Sequence, residues 1–143
     1  MKYLFPFLVL LASVIGSLAN IYINSDGWDA ALIKSPLNPP SFIFGIVWPI
    51  LYALMAFVSF KAANIIWKPF IFQLGLNAAW SWIFFFFHAP LLALVNISGL
   101  LFINQRILMT LKKESTLLYF LYLPYILLLS FAAFLNASIV FLN

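Results

Sequence analysis

The sequence predicts an all-α polytopic membrane protein, a single domain (residues 1–143) built as a bundle of five transmembrane helices. Three observations lead there. Apolar residues make up 66% of the chain and charged residues 7%, against about half and a quarter in ordinary soluble domains. So few charges could not coat a water-facing surface, whereas lipid removes that need. Long charge-free intervals cover residues 3–25, 35–60, 69–105 and 115–143. Finally, the charges segregate by side once the chain is threaded through a membrane.

A crossing needs about 20 apolar residues for roughly 30 Å of hydrocarbon. The first, second and fourth intervals fit one helix each. The third is too long for one crossing and carries His88, Ala89 and Pro90 near its middle. Proline favours a helix start and disfavours a helical residue before it, so two helices are expected there, joined by a tight turn. The predicted helices are about 3–23, 41–62, 67–87, 90–109 and 115–141. The outer loop, 24–40, holds Asn24, Ser25, Asp26, Gly27, Pro36, Pro39 and Pro40, all turn or loop formers.

Five crossings put Lys2, Lys61, Lys68, Arg106, Lys112 and Lys113 on one side, and only Lys34 on the other beside Asp26 and Asp29. Basic residues collect in cytoplasmic loops. The N-terminus is therefore expected in the cytoplasm and the C-terminus outside, in the cell membrane if the source is prokaryotic. A second reading of the N-terminus is a signal peptide, with Ser17-Leu18-Ala19 as a cleavage site. The apolar run continues to Ile23, which suits a retained helix.

Several function classes drop out. Cysteine is absent, which removes disulfides, thiolate nucleophiles and Cys-based metal sites. No Lys/Arg tract of a nucleic-acid binder is present. The acids are Asp26, Asp29 and Glu114, with Glu114 expected across the membrane from the others. No paired intramembrane carboxylate, Ser-His-Asp set or phosphate loop stands out. His88, the single histidine, reads as a solvated turn residue, and no metal site is expected.

Helical spacing groups the remaining candidates. Trp48 and Tyr52 share a face, extended by Phe44 and Met55. Pro49 kinks that helix, as a packing feature or to open space beside Trp48. Asn77, Trp80, Ser81 and Phe84 lie along one stripe. An amide near mid-membrane must find a partner, another helix or a ligand. Tyr125, Ala132 and Asn136 share a related face further on. Gly75 and Ala79, and more weakly Ala12 and Gly16, form small-xxx-small pairs that let helices approach closely.

The stretch Trp28 to Tyr52 carries a resemblance. Trp28, Leu32, Lys34, Pro39, Pro40, Gly45, Trp48 and Tyr52 fall in register with the pattern of the TspO/translocator protein family, also called tryptophan-rich sensory proteins or peripheral benzodiazepine receptors. Asn77-Ala-Ala-Trp80-Ser81 resembles the family's third helix, and Pro124-Tyr125 with Ala132 and Leu135-Asn136 its fifth. The resemblance implies five helices and a membrane receptor for porphyrins, haem precursors or sterol-like ligands, with no required cofactor. It implies a pocket lined by Trp48, Tyr52, Asn77, Trp80, Ser81, Tyr125 and Leu128, closed by the loop holding Trp28, Pro39 and Pro40. It also implies a homodimer through Gly75 and Ala79. Ser35, Leu37 and Leu128 depart from the family pattern; the last replaces a tryptophan facing the ligand. A sensory or regulatory role is the expectation, with export of such compounds, or light-dependent porphyrin degradation, as alternatives.

Overall fold

The computed structural model describes residues 3–26, 41–87 and 89–143, and these are helical almost throughout. Helix α1 spans Leu4–Asp26 and runs uninterrupted through Ser17–Ala19. Helix α2 spans Ser41–Ser81 and continues into a π-helical turn, Trp82–Phe86. Helix α3 spans Pro90–Glu114 and α4 Thr116–Leu142.

The sequence predicts a break at 63–66, and the structure narrows it to one residue. Ala62 alone leaves helical geometry (φ −115°, ψ 16°). The Ala-Ala-Asn-Ile-Ile stretch contains neither glycine nor proline, so nothing local stops hydrogen bonding from resuming at once. The bend still reverses the chain. Tyr52 and Asn77 touch at 2.6 Å, whereas a straight helix would hold residues 25 apart at about 37 Å. The first arm (41–61) and second arm (63–81) are therefore antiparallel neighbours.

Three further boundaries differ from expectation. Helix α1 runs to Asp26, three residues past the expected 23, so Asn24, Ser25 and Asp26 of the expected outer loop are helical. The helix expected to run to 87 widens after Ser81, where the Phe87 amide bonds the Trp82 carbonyl, five residues back. The indole of Trp82 donates to the carbonyl of Ile15 on α1 at 2.7 Å, a tertiary anchor that periodicity does not contain. Helix α3 runs five residues past the expected 109, ending with Lys112 and Lys113 in its last turn, where cations favour the helix dipole. It starts as expected, with Pro90 in its first turn. Ser115 caps α4 by accepting from the Leu118 amide at 3.3 Å.

Each helix buries one stripe and exposes apolar residues on the other. On α1, Phe5, Val9 and Ala12 are buried while Phe7 and Leu10 are exposed. On α3, Ala93, Ile97, Leu100, Asn104, Ile107 and Leu111 are buried while Leu91, Val95 and Phe102 are exposed. Exposed large apolar side chains on every helix exceed what water tolerates and match a lipid-facing surface. Three helical stretches, Ile46–Phe84, Pro90–Glu114 and Thr116–Leu142, are long and apolar enough to cross a membrane. The chain is an all-α, multi-pass membrane protein with at least three such spans. Helix α1 packs on α2 and the π turn, α3 packs on both α2 and α4, and α4 also touches α2 directly.

Candidate functional site

The site begins with Trp48 and Tyr52, one turn apart on the first arm, their ring centroids 6.0 Å apart. Tyr125 of α4 presents its edge to Trp48, with centroids 6.5 Å apart at 75°. The second arm supplies Asn77 between them. Its Oδ1 accepts from the Tyr52 hydroxyl, and its Nδ2 donates to the Tyr125 oxygen at 2.9 Å. Four expected site residues thus meet from both arms of α2 and from α4. Asn77 fills the interhelical hydrogen-bonding role that a mid-membrane amide requires. It keeps a second N–H, and the Tyr52 oxygen a further acceptor position.

The polar cluster runs deeper than spacing indicates. Tyr125 donates to Gln73 Oε1 at 2.8 Å, and that oxygen also accepts from Asn104 Nδ2 at 3.2 Å. Asn104 Oδ1 takes the Tyr122 hydroxyl. Gln73 Nε2 reaches the sulfur of Met55 at 3.4 Å. Gln73, Asn104 and Tyr122 are fully buried and were not among the expected site residues. The signal was present: polar side chains within charge-free intervals, one of them a helical turn before Asn77, meet the same rule that singles out Asn77.

Trp80 sits one turn beyond Asn77. Its indole donates to Asn136 Oδ1 at 3.0 Å and stacks on Phe84 with centroids 5.2 Å apart. Asn136 in turn donates to the Pro90 carbonyl at 2.9 Å, tying α4 to the start of α3. Trp48, Tyr52, Trp80 and Leu128 are half-buried at the margin of the core. Leu128 lies one turn from Tyr125 on α4.

Other expectations separate from this group. The Ser81 hydroxyl lies 3.8 Å from where a Cβ on Gly16 would stand, so Ser81 faces α1. Gly75 is exposed, with no atom of the other described residues beyond its own helical turn within 4 Å of its Cβ position, and Ala79 is half-buried. Trp28, Pro39, Pro40 and His88 lie outside the described residues. Among the described residues, no group of three His, Asp or Glu side chains could hold a metal ion.

The comparisons with known proteins bear on this arrangement. The model of the TspO/MBR family matches residues 5–142, nearly the whole chain. The chain belongs to the TspO/MBR family. It is 34% identical over 156 residues to the tryptophan-rich protein TspO of Archaeoglobus fulgidus, covering 95% of this chain and 97% of that one. It is 34% identical over 121 residues to the tryptophan-rich protein TspO of Chlorobaculum tepidum, covering 78% and 77%. A translocator protein of Ovis aries is 32% identical over 143 residues, covering 89% and 82%. Family membership supports a role in binding or sensing hydrophobic ligands.

Proposed function

We propose that this protein binds a planar or rigid apolar ligand of the porphyrin, haem-precursor or sterol class, within the membrane and in a sensory or regulatory role. The observation that carries the reading is the junction of Trp48, Tyr52, Asn77 and Tyr125. Three aromatic rings from two helices surround one amide that retains hydrogen-bonding capacity. Such a site suits recognition by stacking and shape with few polar contacts. Trp80 and Leu128 border it, and Trp28, Pro39 and Pro40 are proposed to close it from outside. Five spans are proposed, with α1, both arms of α2, α3 and α4 each crossing once. The N-terminus is then cytoplasmic, which reporter fusions test. Fusions at Lys68 and Lys113 should be cytoplasmic and one at Asn143 external; an external Lys113 would break the model. A homodimer across the open Gly75–Ala79 face belongs to the same reading.

Titration with porphyrin tests the pocket. Trp48→Ala loses both stacking and burial, about 2–3 kcal/mol, equivalent to roughly 30- to 150-fold weaker affinity. Trp48→Phe should lose less, because most of the stack survives. Leu128→Trp adds a ring beside Tyr125 and should tighten porphyrin binding unless it overpacks the site. A folded Trp48→Ala protein that binds as tightly as the parent would show that Trp48 only packs. Export, the second reading, requires flux of the ligand in sealed vesicles. Light-dependent degradation requires new products after illumination.

A further inference from the structure

The opposite end of the bundle carries a concave feature. A cleft of about 300 Å³ opens between the bend of α2 and the α3–α4 turn, lined by Lys61, Ala62, Asn64, Ile65, Glu114, Ser115 and Leu118. Lys61 and Glu114 contribute opposite charges to one cleft without forming an ion pair. Lys61 is engaged over the rings of Phe57 and Phe60, at 5.8 and 5.9 Å from their centroids. Ser115 uses its oxygen to cap α4 and keeps its O–H as a donor. Asn64 adds an exposed amide.

We propose that this cleft seats the head group of an aminophospholipid, a phosphate joined by two carbons to a primary ammonium. A zwitterion of that kind satisfies both charges at once: phosphate oxygens on Lys61, Asn64 and Ser115, ammonium on Glu114. The place favours a membrane lipid over a free solute. The cleft lies where the spans end; Ile65 lines it, Phe57 lies under Lys61 and Leu117 precedes Leu118, and all three are exposed apolar side chains on which acyl chains can lie. Glu114 decides the head group. A primary ammonium donates hydrogen bonds to a carboxylate, whereas a trimethylammonium has no N–H to give. A net-negative head group meets Glu114 unfavourably.

The test is lipid retention by the purified full chain, reconstituted with equal phosphatidylethanolamine, phosphatidylcholine and phosphatidylglycerol of identical acyl chains and read by native mass spectrometry. The ethanolamine lipid should be retained roughly threefold over the choline lipid, the scale of one exposed charge-assisted contact. Glu114→Gln should abolish that preference, and Lys61→Gln should lower retention of both zwitterionic lipids. Both side chains are exposed, and an unchanged helical circular dichroism spectrum verifies that each variant folds. An ethanolamine preference that survives Glu114→Gln overturns the proposal, as does equal retention of the two zwitterions by the parent. Dominant retention of the glycerol lipid would mark a simple basic patch and also overturn it. Displacement of the lipid by free phosphoethanolamine at millimolar concentration would assign the cleft to a soluble zwitterion instead.

Discussion

The second arm of α2 presents two faces that meet different surroundings. On one, Gln73 and Asn77 are buried and bonded to Tyr52, Met55, Asn104 and Tyr125. On the other, Gly75 is exposed, and among the described residues nothing beyond its own helical turn lies within 4 Å of its Cβ position. These positions lie two residues apart, so they point away from each other on a helix. The closed face gathers the first arm, α3 and α4 around the proposed ligand site. The open face is left for lipid or a second copy of the chain. One helix can therefore serve binding and association separately, and substitutions on one face should leave the other function alone.

The largest effect is expected on the closed face. Asn77→Leu removes two interhelical hydrogen bonds and leaves the Tyr52 hydroxyl without its acceptor. Interhelical bonds in membranes average about 0.6 kcal/mol, because the unfolded chain in lipid also finds partners. Stranding a buried polar group costs about 1–3 kcal/mol. A combined loss of about 2–4 kcal/mol should lower the thermal midpoint in detergent, measured by circular dichroism. An unchanged midpoint would mean that water or lipid replaces Asn77 at no cost, and that the closed face is not closed.

Much of this arrangement is legible in the sequence, for identifiable reasons. Helical spacing places Trp48 with Tyr52, and Asn77 with Trp80, because each pair lies within one turn of one helix. That the two pairs belong near each other comes from the family resemblance. Charge-free intervals reveal the helical segments because crossing hydrocarbon sets a length. What is not legible depends on contacts distant in sequence. The π turn at Trp82–Phe86 accompanies an anchor on Ile15, 67 residues away. The narrow bend at Ala62 leaves no glycine or proline signal. Ser81 shares a stripe with Trp80 but points to α1, since a stripe on a helix is wide enough to touch two neighbours. Gln73 and Asn104 could have been found by applying the intramembrane-polar rule to every amide.

The smallest expected effect on folding sharpens the comparison most. Gly16 and Gly75 both belong to small-residue pairs, and spacing does not distinguish them. Packing does. A Cβ on Gly16 would meet Ser81 Oγ at 3.8 Å and Ala78 Cα at 4.0 Å, so Gly16 lies in the seam where α1 meets the second arm, with Ala12 buried one turn before it. Alanine fits there as an ordinary contact. Leucine must displace backbone, and overpacking costs about 1–3 kcal/mol. Gly75→Leu meets open space, so monomer stability should change by no more than about 0.5 kcal/mol, as at other exposed sites. Its consequence should fall on association, because a bulky side chain keeps two helix backbones apart. Thermal unfolding and mass by light scattering, run on both variants, give the pattern. Gly16→Leu should lower the thermal midpoint, while Gly75→Leu should keep it and shift the mass from dimer to monomer. A dimer that persists in Gly75→Leu places the subunit contact on another helix and leaves the open face to lipid.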